Sequence, residues 1–199
     1  MPKDPCKRCA MAECQLTTLA GCELVIGRYP RFRYNARGGR AVGEAKGTGS
    51  GPLALHFAAE TTAIPALSGR TTRFLGLPLP PGLRVAIQPI HLSGTWEPAT
   101  GELALDFCSQ FRFQAGFGSS FRYCAPDLLV NTRLSTETIR SRRHHRQGIR
   151  LQGTNPGVLV GVAVIEPTGE VWLDRFLGLP DEALAVLECQ LSLAGKLDA

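Results

Sequence analysis

A chain of 199 residues, 44% apolar and 20% charged, is long enough to bury a core and too apolar to be disordered. Its net charge of +5 rests on 18 arginines against four lysines, a composition that by itself is weak support for an anionic partner. No apolar run reaches the ~20 residues a membrane helix needs, so no transmembrane segment is expected.

The first residues, Met1-Pro2-Lys3-Asp4-Pro5-Cys6, lack the apolar stretch of a secretory signal and the Arg/Ser-rich character of a transit segment. A cytoplasmic chain, or a stromal one already trimmed, is the expectation. The seven cysteines are odd in number and unevenly placed, which in that setting reads as reduced thiols. Residues 1–18 read as a flexible, cysteine-containing tail, and 19–199 as a single β-rich domain. Cys6, Cys9, Cys14 and Cys22 form the one spacing that resembles a thiolate metal site. Cys14 and Cys22 do not make a short-spaced couple, so unliganded thiols are the simpler reading.

From Cys22 the chain is strand-like. Phe32 and Tyr34 alternate with Arg31 and Arg33, giving one buried face and one basic face. Leu53, Leu55 and Phe57 repeat the alternation. Residues 74–83 are apolar but carry three prolines, which suits an extended edge or a crossing loop.

The phrase Glu97-Pro98-Ala99-Thr100-Gly101-Glu102 follows Trp96 and reads as a hairpin turn. The run after it is the clearest strand in the chain. Leu103, Leu105, Phe107, Phe111 and Phe113 share one parity; Glu102, Asp106, Gln110 and Arg112 take the other. Eleven residues span about 35 Å, a length that suits barrels and curved sandwiches. The turn phrase returns, one residue shorter, at Glu166-Pro167-Thr168-Gly169-Glu170, and reads there as a second hairpin.

Residues 140–150 are the strongest charge run, with Arg140, Arg142, Arg143, Arg146 and Arg150 around His144 and His145. These residues are the candidate contact for an anionic or protein partner; a solvated hairpin loop explains them as well. The base-stacking aromatics of a nucleic-acid strand are missing from the run, which disfavours nucleic acid.

Residues 158–165 are apolar on both faces and read as a central strand. Pro180-Asp181-Glu182 with Leu184, Leu187 and Leu191 then reads as a capped amphipathic helix at about 181–193, covering that strand. A second echo pairs Arg73-Phe74-Leu75-Gly76-Leu77-Pro78 with Arg175-Phe176-Leu177-Gly178-Leu179-Pro180. The two echoes have different offsets and define no tandem repeat.

The phrases at 74–83, 125–128, 159–163 and 176–185 resemble an uncharacterised family of cyanobacterial and plastid proteins, over roughly residues 18–193. That resemblance implies a photosynthetic setting and a soluble compartment, and brings no activity or catalytic residue with it.

The fold expected is all-β: an antiparallel β-barrel or two-sheet sandwich of long hairpins with one C-terminal α-helix. Lipocalin-like bilin lyases and plastid lipid-associated proteins also combine strands with a terminal helix, at the level of fold alone. An aromatic inner face of Trp96, Phe107, Phe111 and Phe113 could hold an apolar ligand such as a lipid or pigment. The alternative is an assembly or scaffold factor contacting a partner through residues 140–150 and the prolines at 78–81. No acid/base or nucleophile set can be assembled from motifs, so a non-enzymatic role is expected and the cofactor stays unknown.

Overall fold

The computed structural model describes residues 10–47, 51–116 and 123–194. Strand β1 (Ala10–Thr18) turns at Gly21 into β2 (Cys22–Ile26), and short β3 (Phe32–Tyr34) folds back on it. β4 (Arg40–Gly47) pairs with β5 (Leu53–Ala63). β6 (Thr72–Phe74) and β7 (Leu77–Pro78) make a tight hairpin whose tip is Leu75-Gly76. The long strands β8 (Leu83–Glu97) and β9 (Glu102–Ala115) form the expected hairpin at the first turn phrase. β10 (Tyr123–Cys124) and β11 (Leu128–Ser135) both pair with β9. β12 (Thr138–Arg140) and β13 (His145–Gln147) stand apart as a small hairpin. β14 (Gly157–Ile165), helix α1 (Val171–Leu177) and β15 (Asp181–Ala194) complete the described chain.

The fold is all-β with one short helix, and every strand pairing is antiparallel. Eight strands close a ring in the order β1-β4-β5-β8-β9-β11-β14-β15, sealed by pairing of β15 with β1. The ring is not a regular barrel. β15 gives Cys189 to Ala194 to β1, but its first half, Ala183 to Val186, pairs with β2 instead. β2 carries β3, β6 and β7 outward as a wing. The wing returns to β8 through one bridge, Leu67 opposite Val85, with both backbone hydrogen bonds at 2.9 Å. One end of the wall between β15 and β8 is therefore built by β1, β4 and β5, and the other by the wing.

Three sequence expectations are corrected. Residues 181–193 are strand, not helix. The inward positions Ala183, Ala185, Leu187, Cys189, Leu191 and Leu193 alternate, and β14 binds one edge while β2 and β1 share the other. The helix lies earlier, at Val171–Leu177, with Leu173 and Leu177 buried and Gly178 ending it in the left-handed conformation (φ +72°). Residues 10–18 are an inner-ring strand rather than a flexible tail. Cys14 and Leu16 face the core there, paired across to Leu193 and Leu191; residues 1–9 fall outside the described chain.

The second turn phrase does not make a hairpin. Gly101 and Gly169 share a positive φ (+74° and +86°), but Asp174 folds its carboxylate back onto the backbone N–H groups of Thr168 and Gly169, and the chain goes helical. β14 is central, as expected. The outer residues Val160, Leu184 and Val186 pack against Ile139 of β12, so the small hairpin covers that face.

The ring is solid at one end. Leu53, Leu55, Phe57 and Leu103 fill it, with Trp96 packed against them. At the other end the inward positions of β14 and β15 shrink to Gly161, Ala163, Ala183 and Ala185, facing Phe111 and Phe113. Small residues opposite large ones leave space that the wing does not fill.

Candidate functional site: an apolar cavity and its mouth

That space is a cavity of about 350 Å³. It lies within the size range of sites for small apolar molecules. A smaller cavity of about 120 Å³ adjoins it. Leu24, Phe111, Val130, Thr132 and Ala185 line both, so the two meet at mid-height. Among the described residues, no charged one lines the larger cavity.

Phe111 and Phe113, named from sequence, line the larger cavity; Phe107 and Phe111 line the smaller. Period-two alternation along β9 carries all three inward. Trp96 is on the same hairpin but belongs to the filled end, and its Nε1 is buried with no hydrogen-bond partner among the described residues.

The hydroxyl of Thr132 lies in the wall of both cavities, and that of Ser109 is buried on the same inner face without lining either. Thr132 Oγ1 and Ser109 Oγ are buried and have no hydrogen-bond partner among the described residues. Ser109 stands opposite Val130 and Thr132 opposite Phe107, so the hydroxyls occupy diagonal positions on one inner face. Such neighbours lie about 7–8 Å apart. Gly161 keeps the space beside Thr132: a Cβ there would come within 2.8 Å of Thr132 Oγ1 and 2.7 Å of the Arg133 carbonyl. The other inner hydroxyls are engaged. Tyr34 donates to the Pro65 carbonyl and Tyr29 to the Phe176 carbonyl. Burial pushes the Tyr34 phenol well above its ordinary range, so it stays neutral.

The mouth is marked by Phe176 and Pro80, which line the cavity yet stand exposed. Tyr29 joins its two sides, 6.4 Å from the Phe74 ring and 5.7 Å from that of Phe176. The Phe-Leu-Gly-Leu-Pro echo therefore has a spatial meaning: both copies lie at this mouth, each with its glycine at positive φ (Gly76 +84°, Gly178 +72°). Sequence reasoning gave Tyr29, Phe74, Thr132 and Phe176 no role. The one available signal was Thr132, a hydroxyl at an inward parity between Val130 and Leu134.

The arginine run is held by carboxylates. Arg143 Nε lies 2.7 Å and Arg142 Nη2 3.3 Å from Asp181 Oδ1. The Arg142 and Arg143 backbone N–H groups and the Ser141 hydroxyl donate to Glu182. Arg146 pairs with Glu23 and Arg150 with Glu102. His144 is partly buried with Nε2 unpartnered among the described residues, whereas His145 and Arg140 are exposed. Burial would raise the Asp181 carboxyl. The Glu182 backbone N–H and the guanidinium groups outweigh it and hold the carboxyl below its ordinary value. The run clamps the β12–β13 hairpin to the start of β15.

Of the four cysteines with metal-like spacing, the two described do not converge. Cys14 and Cys22 lie in separate core clusters, and Cys6 and Cys9 fall outside the described residues. Burial, reinforced by Glu13, pushes the Cys14 thiol up to about 11; burial also raises Cys22. A protonated thiol is a poor metal ligand. Comparison with protein-family models, curated proteins and solved structures gives no match. Among the described residues, no helix is long and apolar enough to cross a membrane.

Proposed function

We propose that the protein is a non-catalytic carrier that holds one uncharged, largely apolar molecule, a lipid or pigment, inside the ring. The observation that carries this reading is the cavity of about 350 Å³ with no charged residue on its wall among the described residues. Burying a charge in such surroundings is strongly unfavourable, so the ligand is neutral where it is enclosed. The buried hydroxyl of Thr132 suits a ligand with a hydrogen-bonding group part-way along its length. A photosynthetic cell, in its cytoplasm or plastid stroma, is the setting proposed, and it supplies both lipids and pigments.

Native mass spectrometry and an absorption spectrum of protein purified from its native cells test the reading. A stoichiometric apolar ligand is expected, released by organic extraction. A ligand-free protein that also takes up no added lipid or pigment would overturn it.

A further inference from the structure

We infer that the mouth of the ring is a docking surface for an anionic lipid bilayer. Large apolar side chains stand in water around it: Leu75 and Leu77 are each 70% exposed, Val171 74%, Phe176 59% and Trp172 49%. They come from the β6–β7 tip and from helix α1, which Tyr29 ties together through Phe74 and Phe176. Trp172 donates its Nε1 to the Tyr123 hydroxyl at 2.9 Å, adding an aromatic pair to the rim. Trp and Tyr favour the bilayer interface because a wide apolar ring carries one polar end.

The β6–β7 tip contributes nothing evident to folding. Leu75 has φ +51° and is followed by Gly76 at +84°. A two-residue hairpin turn with both residues left-handed favours Asn-Gly, and a leucine there is strained. Burial does not compensate for the strain, since Leu75 is exposed. Strain that folding does not recover points to use elsewhere. An apolar tip that enters lipid recovers it.

The cations behind the rim define the kind of bilayer. Arg33 and Arg73 stand directly opposite each other across β3 and β6. Like charges so placed repel in water. Arg28, Arg84 and Arg175 lie at the same end, and none of these five enters an ion pair among the described residues. Glu23 stands opposite Arg33 on β2 but is already paired with Arg31 and Arg146, and Glu166 and Glu170 are exposed just before α1. An apolar tip with basic side chains set behind it is the pattern of interfacial binding to anionic lipid. On the carrier reading, the ligand passes through this mouth; the docking itself rests on outer side chains and stands or falls independently of it.

Flotation with vesicles of phosphatidylcholine, with and without one-third phosphatidylglycerol, tests the inference in the intact chain. Binding to the anionic vesicles is expected, with a blue shift of Trp172 emission that Trp172→Phe removes. Leu75→Asn, which suits the turn better, is expected to keep or raise the melting temperature and weaken vesicle binding about tenfold. Arg33→Gln with Arg73→Gln is expected to reduce the preference for phosphatidylglycerol. No binding at low salt would overturn the inference. So would binding indifferent to both Leu75→Asn and Phe176→Ser, or a concentration-dependent dimer that Leu75→Asn abolishes.

Discussion

Thr132 and Ser109 carry hydroxyls into an apolar interior, where they have no hydrogen-bond partner among the described residues. An unpaired buried hydroxyl costs roughly 1–3 kcal/mol. Thr132→Val keeps the shape and removes the group. It is expected to raise the melting temperature of the ligand-free protein while weakening retention of a ligand that bonds there; an unchanged melting temperature would show that the hydroxyl is already satisfied. The cysteines behave in the opposite sense. Burial, with Cys22 and Glu188 beside it, pushes Cys189 up to about 12. Cys14, Cys22 and Cys189 should resist an alkylating reagent at neutral pH until the protein unfolds, while exposed Cys124 reacts at once. Mass mapping of the labelled chain checks this. The sequence showed thiols without their surroundings: Cys14 and Cys22 read as a tail's ligands because nothing local reveals that β1 closes the ring.

The last strand shows why local reading fails at the level of elements. Leu184, Leu187 and Leu191 fit a helical stripe, and Asp181 looks like a cap. Ala183, Ala185, Leu187, Cys189 and Leu191 fit a strand equally well, with small residues weakening the alternation. Non-local pairing with β14, β1 and β2 decides between them, and such pairing overrides intrinsic propensity. Where alternation was strong and the turn local, as in β9 after the first turn phrase, the element was legible to within a few residues. Of the wing, β3 was legible from the alternation of Phe32 and Tyr34 with Arg31 and Arg33, but the β6–β7 hairpin was not, because its strands are two or three residues long and leave no period to read.

The carboxylates under the arginine run give this level a prediction. Asp181 and Glu182 are held below their ordinary values in the fold, Glu182 chiefly by the Ser141 hydroxyl. A depressed carboxyl contributes stability that is complete above its unfolded value, about 4, and is lost as the pH falls through the folded one. Asp181→Asn removes one such group. Its melting temperature should be lower than the wild type's at neutral pH, and the gap should narrow as the pH drops from about 5 towards 2. A gap independent of pH would contradict the clamp.

At the scale of the molecule, one ring has two different interiors. The leucines and Phe57 close one end, and the glycine and alanines of β14 and β15 open the other. The antiparallel architecture was readable from alternation; the closure was not, since β1 and β15 meet across almost the whole chain. The aromatic face of β9 was readable too, but not whether it met side chains or space. That depended on the size of residues on β14 and β15, brought opposite only by the fold.

The central claim is that this space accepts a molecule. Titration of the purified protein with N-phenyl-1-naphthylamine, an apolar dye that fluoresces out of water, tests it most directly. The expected result is saturable one-to-one binding that Ala163→Phe and Ala185→Phe each weaken at least tenfold while folding is retained. A wild-type protein that fails to bind the dye, or two folded variants that bind it as well as the wild type, would contradict the claim.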